Sequence, residues 1–142
     1  MPRLEFWVMG VAAPKGSTKS FPIPRANGTM GVATMNANPK TKEWQARVAT
    51  EAQRAVIEQN FQYIVKENEV HVSAEFYLPR PKSRKNKGFF VKPDLDKLAR
   101  ALLDGLTKIV FEDDSQVTVL SVGKAYAKDG EGPGVMITLE VA

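Results

Sequence analysis

The chain has 142 residues, 43% hydrophobic and 25% charged, with a net charge of +4, which fits one globular domain spanning 1–142 with enough apolar residues for a proper core. It has no cysteine and one histidine, His71, which excludes disulfides and thiolate zinc sites and argues against a histidine-based metal site or a histidine–carboxylate triad. No apolar run is long enough to cross a membrane, and Met1-Pro2-Arg3-Leu4-Glu5 lacks the layout of a signal peptide, so a cytoplasmic location is expected.

Leu4, Phe6 and Val8 alternate with Glu5, Trp7 and Met9, which predicts a strand from about Arg3 to Val11. Residues 14–40 are rich in Gly, Pro, Asn, Ser and Lys without a clear period. Pro22, Pro24 and Pro39 rule out a regular helix there, and a long functional loop is expected. Thr41 stands as a helix cap ahead of a helix to about Gln59, with Trp44, Val48, Ala52 and Val56 on one face. Val70, Val72, Ala74 and Phe76 then alternate with His71, Ser73, Glu75 and Tyr77, a second strand. A loop over 80–92 follows, bounded by Pro81 and Pro93. The second helix opens at Pro93-Asp94 and runs to about Lys108, with Leu95, Leu98, Leu102, Leu106 and Ile109 as its buried stripe. Val117–Tyr126 reads as a strand, Asp129–Gly134 as a turn, and Val135, Ile137, Leu139 and Val141 as a last strand in a hairpin with the previous one. The order β-α-β-α-β-β predicts an α+β two-layer domain, a mixed four-stranded sheet with two helices on one face.

Charge is distributed less evenly than the total suggests. Residues 79–93 carry Arg80, Lys82, Arg84, Lys85, Lys87 and Lys92 and no acid, whereas residues 94–114 carry six acids against Lys97, Arg100 and Lys108. A basic arm suits the backbone of a polyanion, and an acidic pocket beside it suits a metal ion. The bland alternative is a solvated loop followed by a well-capped helix. Lys15, Lys19 and Arg25, in a stretch without acids, are further candidates for phosphate contacts.

The acids fall in two groups. Asp94 and Asp96 open the second helix, where Asp94 is a natural N-cap and Asp96 suits the helix dipole. Asp96, Arg100 and Asp104 recur every four residues along the margin of the leucine face, and Asp96–Arg100 is an acid-first pair worth roughly 0.3–0.5 kcal/mol. Glu112-Asp113-Asp114 precedes the third strand, and no cap requires three adjacent acids. If that strand begins beside the second helix, Asp114 approaches Asp94 and Asp96. Three hard oxygen ligands of this kind select Mg²⁺ or Mn²⁺.

The stretch Pro93-Asp94-Leu95-Asp96-Lys97-Leu98-Ala99-Arg100, with Asp104-Gly105-Leu106 and Asp113-Asp114-Ser115-Gln116-Val117, resembles the RusA family of Holliday-junction resolvases of phages and prophages. Ala13-Pro14-Lys15-Gly16 and Pro39-Lys40-Thr41-Lys42-Glu43-Trp44 are similar to the N-terminal half of that family. The resemblance implies a homodimeric, Mg²⁺-dependent endonuclease that cuts four-way DNA junctions by paired, symmetric nicks. It places three essential aspartates at Asp94, Asp96 and Asp114, and an essential basic residue, a lysine in the family, at Arg100. Lys97 stands where the family commonly has asparagine. Arginine keeps the charge but does not give up a proton at ordinary pH, so Arg100 suits phosphate stabilisation rather than proton transfer.

Under this resemblance Lys15, Arg80, Lys82, Arg84, Lys85, Lys87 and Lys92 are expected to contact DNA. Phe89 and Phe90 either wedge against unstacked bases at the crossover or anchor their loop to the core. The competing functions are a nuclease acting on flaps or forks, a DNA-binding protein that does not cut, and a glycosyltransferase using Asp94-Leu95-Asp96. The chain is short for the last, and no nucleotide-binding βαβ pattern precedes that motif.

Overall fold

The computed structural model describes residues 2–16, 18–36, 39–80 and 92–142. Four strands form the main sheet: β1 (Arg3–Met9), β4 (Val70–Leu78), β5 (Val117–Tyr126) and β6 (Gly134–Val141). Two more, β2 (Thr18–Pro24) and β3 (Met30–Asn36), pair only with each other. The helices are α1 (Lys40–Glu58) and α2 (Leu95–Leu106). The expected α+β class and mixed four-stranded sheet are both present.

One face of the sheet is apolar because period-2 alternation puts every second side chain there. Leu4 and Val8, Val70, Val72 and Phe76, and Val135, Ile137 and Leu139 are all buried. Both helices cover that face, α1 with Trp44, Val48, Ala52 and Ala55, and α2 with Leu98, Leu102 and Leu106. Leu95 and Ile109, predicted for the same stripe, are only partly buried. At Gly105 a side chain would stand 3.2 Å from the Gln45 carbonyl and the Val48 side chain, so this glycine sets how closely α2 approaches α1.

The sheet order is β1-β6-β4-β5, with β4 and β5 parallel and the other pairs antiparallel. This corrects the expected β5–β6 hairpin. α2 carries the chain from the end of β4 back to the start of a parallel β5, and β6 then inserts between β1 and β4. A parallel pair requires such a crossover, and the helical stripe of α2 supplies it.

Two other expectations change. The stretch read as a long loop contains the β2–β3 hairpin, in register from Thr18↔Asn36 to Pro24↔Met30. Its turn is built on Asn27, whose Oδ1 accepts from the Thr29 N–H, and on Gly28 at φ 83°, the Asn-Gly pairing that closes hairpins. Thr41 is not the cap of α1. The N-cap is Pro39, and Thr41 is fully buried with its hydroxyl donating to the Pro14 carbonyl at 2.6 Å. Tertiary attachment of the 12–16 segment has taken over the side chain that would have capped the helix.

Gly134 begins β6 beneath Trp7. A Cβ there would stand 2.3 Å from Trp7 Cζ2 and 2.6 Å from the Val8 carbonyl. Gly134→Ala should therefore cost about 1–3 kcal/mol through overpacking. Urea unfolding would read this as a lower midpoint at unchanged slope; an unaltered midpoint contradicts it.

Candidate nucleic-acid interface and metal centre

Described basic residues, Arg80 after β4 and Lys92 ahead of α2, flank the connection between these two elements. Arg80 leaves β4 with its guanidinium 4.6 Å from the Tyr126 ring centroid, at the end of β5, a cation–π distance. Lys124, the one charged residue in β5, donates from Nζ to the Pro93 carbonyl at 2.8 Å. This pins the entry to α2 above the end of β5. The chain pattern offered a signal for Lys124, a single charge in an otherwise uncharged strand, yet the sequence reading did not select it.

Asp94 occupies the N-cap position of α2 with extended backbone, φ −68° and ψ 137°, but makes no capping hydrogen bond. Its carboxylate instead lies 3.6 Å from Lys92 Nζ and 3.8 Å from Lys97 Nζ. Asp96 and Arg100 are exposed along α2. The expected Asp96–Arg100 ion pair is not among those of the described residues, and the Asp96–Arg100–Asp104 stripe lies on the exposed side of the helix rather than at the core margin. Asp104 is bound by Lys15, Nζ to Oδ2 at 3.0 Å. The Lys15 N–H donates to the Lys97 carbonyl at 3.0 Å, which lays the 12–16 segment along α2.

The second acidic group is sorted by its neighbours. Glu112 accepts from Tyr63 Oη at 2.6 Å and from Lys108 Nζ. The Lys108 hydrogen bond, with that of Tyr63, holds the Glu112 carboxyl below its usual value, and the same contact raises the Tyr63 hydroxyl. Asp113 accepts from the Ser115 hydroxyl, which lowers its carboxyl. Gln116 is buried and organises the turn. Its Oε1 accepts the Glu112 and Asp113 N–H groups at 2.8 Å, and its Nε2 donates to the Val65 and Asn68 carbonyls at 2.7 and 3.0 Å. Sequence reasoning missed this role, since a glutamine after three acids looks like more solvated surface. Asp114 opens a single tight helical turn, Asp114–Gln116, and is exposed. Among the described residues no side-chain hydrogen bond or ion pair engages Asp96, Arg100 or Asp114.

Asp94 and Asp96 stand together, but Asp114 does not join them within one chain. Lys124 fixes Asp94 near the end of β5, whereas Asp114 directly precedes its beginning. From Lys124 back to Val117 the strand covers about 23 Å at 3.3 Å per residue, and α2, with 12 residues, covers about 18 Å along the same line. Asp114 is thus roughly 20 Å from Asp94, far outside a ligand sphere of about 2–2.6 Å radius. Among the described residues no three His, Cys, Asp or Glu side chains are grouped to hold a metal ion. β5 begins beside α2, but at the end of the helix, so the expected approach of Asp114 to Asp94 and Asp96 is not made within one chain. The three aspartates of a single chain do not fit one divalent ion. Lys82, Arg84, Lys85, Lys87, Phe89 and Phe90 lie outside the described residues. No described helix is long and apolar enough to cross a membrane.

A two-layer α+β domain that collects cations around carboxylates at a helix start is suited to handling a polyanion. The chain belongs to the RusA family: the family model described as endodeoxyribonuclease RusA matches residues 17–140. It is thus a member of a family of endonucleases that resolve Holliday junctions. A relative in Bacillus subtilis strain 168, named uncharacterized protein YqaN, is 29% identical, over 75% of this chain and 80% of its own length.

The Glu112 contacts have a pH consequence. A carboxyl depressed in the folded state contributes stability above its ordinary value, 4.5, and loses that contribution as pH falls through the folded-state value. In a carboxyl-carbon NMR titration Glu112 should titrate below 4.5, and Lys108→Met should move the midpoint upward. A midpoint indifferent to Lys108→Met contradicts the assignment.

Proposed function

We propose that the protein is a Mg²⁺-dependent endonuclease that resolves four-way DNA junctions by paired nicks, acting as a homodimer. Mn²⁺ suits the same oxygen ligands. The observation that carries this reading is the division among the acids. Asp104, Glu112 and Asp113 are held by Lys15, by Lys108 and Tyr63, and by Ser115. Asp96 and Asp114, two of the three aspartates that the family resemblance makes essential, are exposed at the starts of a helix and a strand with no such structural contact, while the third, Asp94, lies 3.6 and 3.8 Å from the Nζ atoms of Lys92 and Lys97. Charges left without structural partners in a protein of a nuclease family are available to a ligand.

Because one chain keeps the two acidic groups at opposite ends of α2, the metal site is completed between subunits: Asp94 and Asp96 of one, and Asp114 of the partner subunit. A divalent ion held by these carboxylates would supply Lewis-acid charge for phosphodiester hydrolysis. Arg100, one turn beyond Asp96, donates to a non-bridging phosphate oxygen and stabilises its developing charge, with no part in proton transfer. Lys92, 3.6 Å from Asp94, acts with Lys15, Arg80, Lys82, Arg84, Lys85 and Lys87 to hold the backbone electrostatically. Phe89 and Phe90 supply aromatic surface beside the crossover. The nicks leave 5′-phosphate and 3′-hydroxyl ends.

Purified protein should nick a synthetic four-way junction with Mg²⁺ or Mn²⁺ and not with EDTA. Asp94→Asn should reduce nicking to background while junction affinity stays within about threefold, since it removes a metal ligand and no phosphate contact. Arg100→Gln should lower the rate on the order of 10²-fold, and Arg100→Lys much less. Nicking by Asp94→Asn at the parental rate, or metal-independent nicking, contradicts this function.

A further inference from the structure

The helices cover one face of the main sheet. On the other face Glu5, Ser73, Glu75, Ser121 and Met136 are exposed. Strand register fixes what stands together there. Trp7, Met136 and Glu75 lie side by side in one row, and Met9, Gly134 and Tyr77 in the next. The Trp7 and Tyr77 rings have centroids 6.0 Å apart and are tilted by 42°. Gly134, in the row between them, carries no side chain to push them apart.

These rings line a cavity of about 410 Å³ with Met9, Met136 and Glu131, within the range of roughly 300–1,000 Å³ for ligand sites. Trp7 and Met9 also line a second cavity, of about 610 Å³, bounded on the α1 side by Arg47, Glu51 and Arg54. The charges of that second cavity are engaged: Arg54 lies 3.1 Å from Glu51, and Arg47 donates to the Met9 carbonyl at 3.2 Å. The two cavities share Trp7 and Met9 as walls, so an extended chain can lie across both, over a methionine that is 62% exposed.

The charge of this face opposes that of the whole molecule. The chain carries +4, yet the open face of the strands sets Glu5, Glu75 and Glu140 against Arg3 and His71. Arg3 is occupied by Glu5 at 2.8 Å and Glu140 at 3.9 Å. Glu75, next to Tyr77 on that face, and Glu131, in the cavity wall, have no side-chain hydrogen bond or ion pair among the described residues. The Glu75 carboxylate has room because β5 carries a glycine opposite it; a Cβ on Gly123 would stand 2.7 Å from Oε2.

We propose that this face binds a partner protein through an extended basic segment, with one arginine or lysine of that segment seated between Trp7 and Tyr77. Aromatic faces attract a cation within about 6 Å of the ring centroid. Glu75 and Glu131 supply the counter-charge, and the two thioethers adapt to the chain beside it. The same carboxylates repel a phosphate backbone, so the occupant is a protein and not a nucleic acid. The site lies across the sheet from α2, and a partner seated there leaves the start of that helix open. The inference does not rest on the nuclease reading.

The chain has two tryptophans. Trp44 is 4% exposed in the core, so the Trp7 indole N–H reports this face in an NMR titration. With a hexa-arginine peptide the Trp7 indole and the Met9 and Met136 methyl resonances should shift together and saturate, with a Kd of about 1 mM or below. A hexaglutamate peptide should move none of them. Glu75→Gln combined with Glu131→Gln should weaken the arginine peptide by about fivefold or more, with an unchanged thermal melt because both side chains are exposed. Asp114→Asn, which removes an acid elsewhere, should leave the affinity read at Trp7 as it was. No shift at Trp7, equal shifts with hexaglutamate, or an affinity indifferent to the paired glutamines overturns the proposal. A Trp7 resonance that moves with the concentration of the protein itself shows a second copy on this face and overturns it as well. Neither DNA nor metal enters the titration, so a failure here leaves the nicking assay untouched, and the reverse.

Discussion

The parallel pairing of β4 with β5 is the constraint on which the rest of this molecule depends. It obliges the chain to cross over the sheet between the two strands, and α2 makes that crossing with Leu98, Leu102 and Leu106 buried beneath it. Burial of three leucines, about 1.5–3 kcal/mol each, holds the helix on the sheet. Exposed acids at its ends are then fixed in place by forces in which they take no part. The same crossing sets Asp94 and Asp96, with Lys92 and Lys97, at one end of α2 and Glu112, Asp113 and Asp114, with Lys108, at the other.

The carboxylates divide into structural and available groups. Glu112 and Asp113 are bound into the turn by Lys108, Tyr63, Ser115 and the Gln116 bridge. Asp104 secures the 12–16 segment through Lys15. Asp94 sits at a cap position without capping, drawn instead toward two lysines. A cap is typically worth about 1 kcal/mol, so an aspartate that leaves it unused is oriented by something other than helix stability. The neighbouring positive charges supply that orientation.

Much of the fold was legible because it is local. Leu4-Phe6-Val8 and Val70-Val72-Ala74-Phe76 repeat every second residue, and the leucines of α2 repeat at helical spacing, so core faces follow from sequence alone. The family motif was legible for the same reason, as a nearly contiguous run from Asp94 to Val117. What escaped was non-local. Pro22 and Pro24 disguised a hairpin whose Asn27-Gly28 turn was a usable sign. The β5–β6 hairpin was inferred from adjacency in sequence, but β6 pairs with β1 and β4. The position of Asp114 turned on a single unknown, the direction of β5. A parallel β5 must start where its crossover helix ends, and that alone carries Asp114 away from Asp94 within a chain.

If two subunits share each metal site, inactive chains can repair one another. The decisive measurement combines a chain carrying Asp94→Asn and Asp96→Asn with a chain carrying Asp114→Asn, refolded together, with heterodimers verified by mass. Each parent should be inert on a four-way junction. The heterodimer holds one site with all three aspartates and one site with none, so it should cut a single strand and give nicked, unpaired products. Verified heterodimers as inert as either parent would show that the three aspartates do not meet across the two-fold axis.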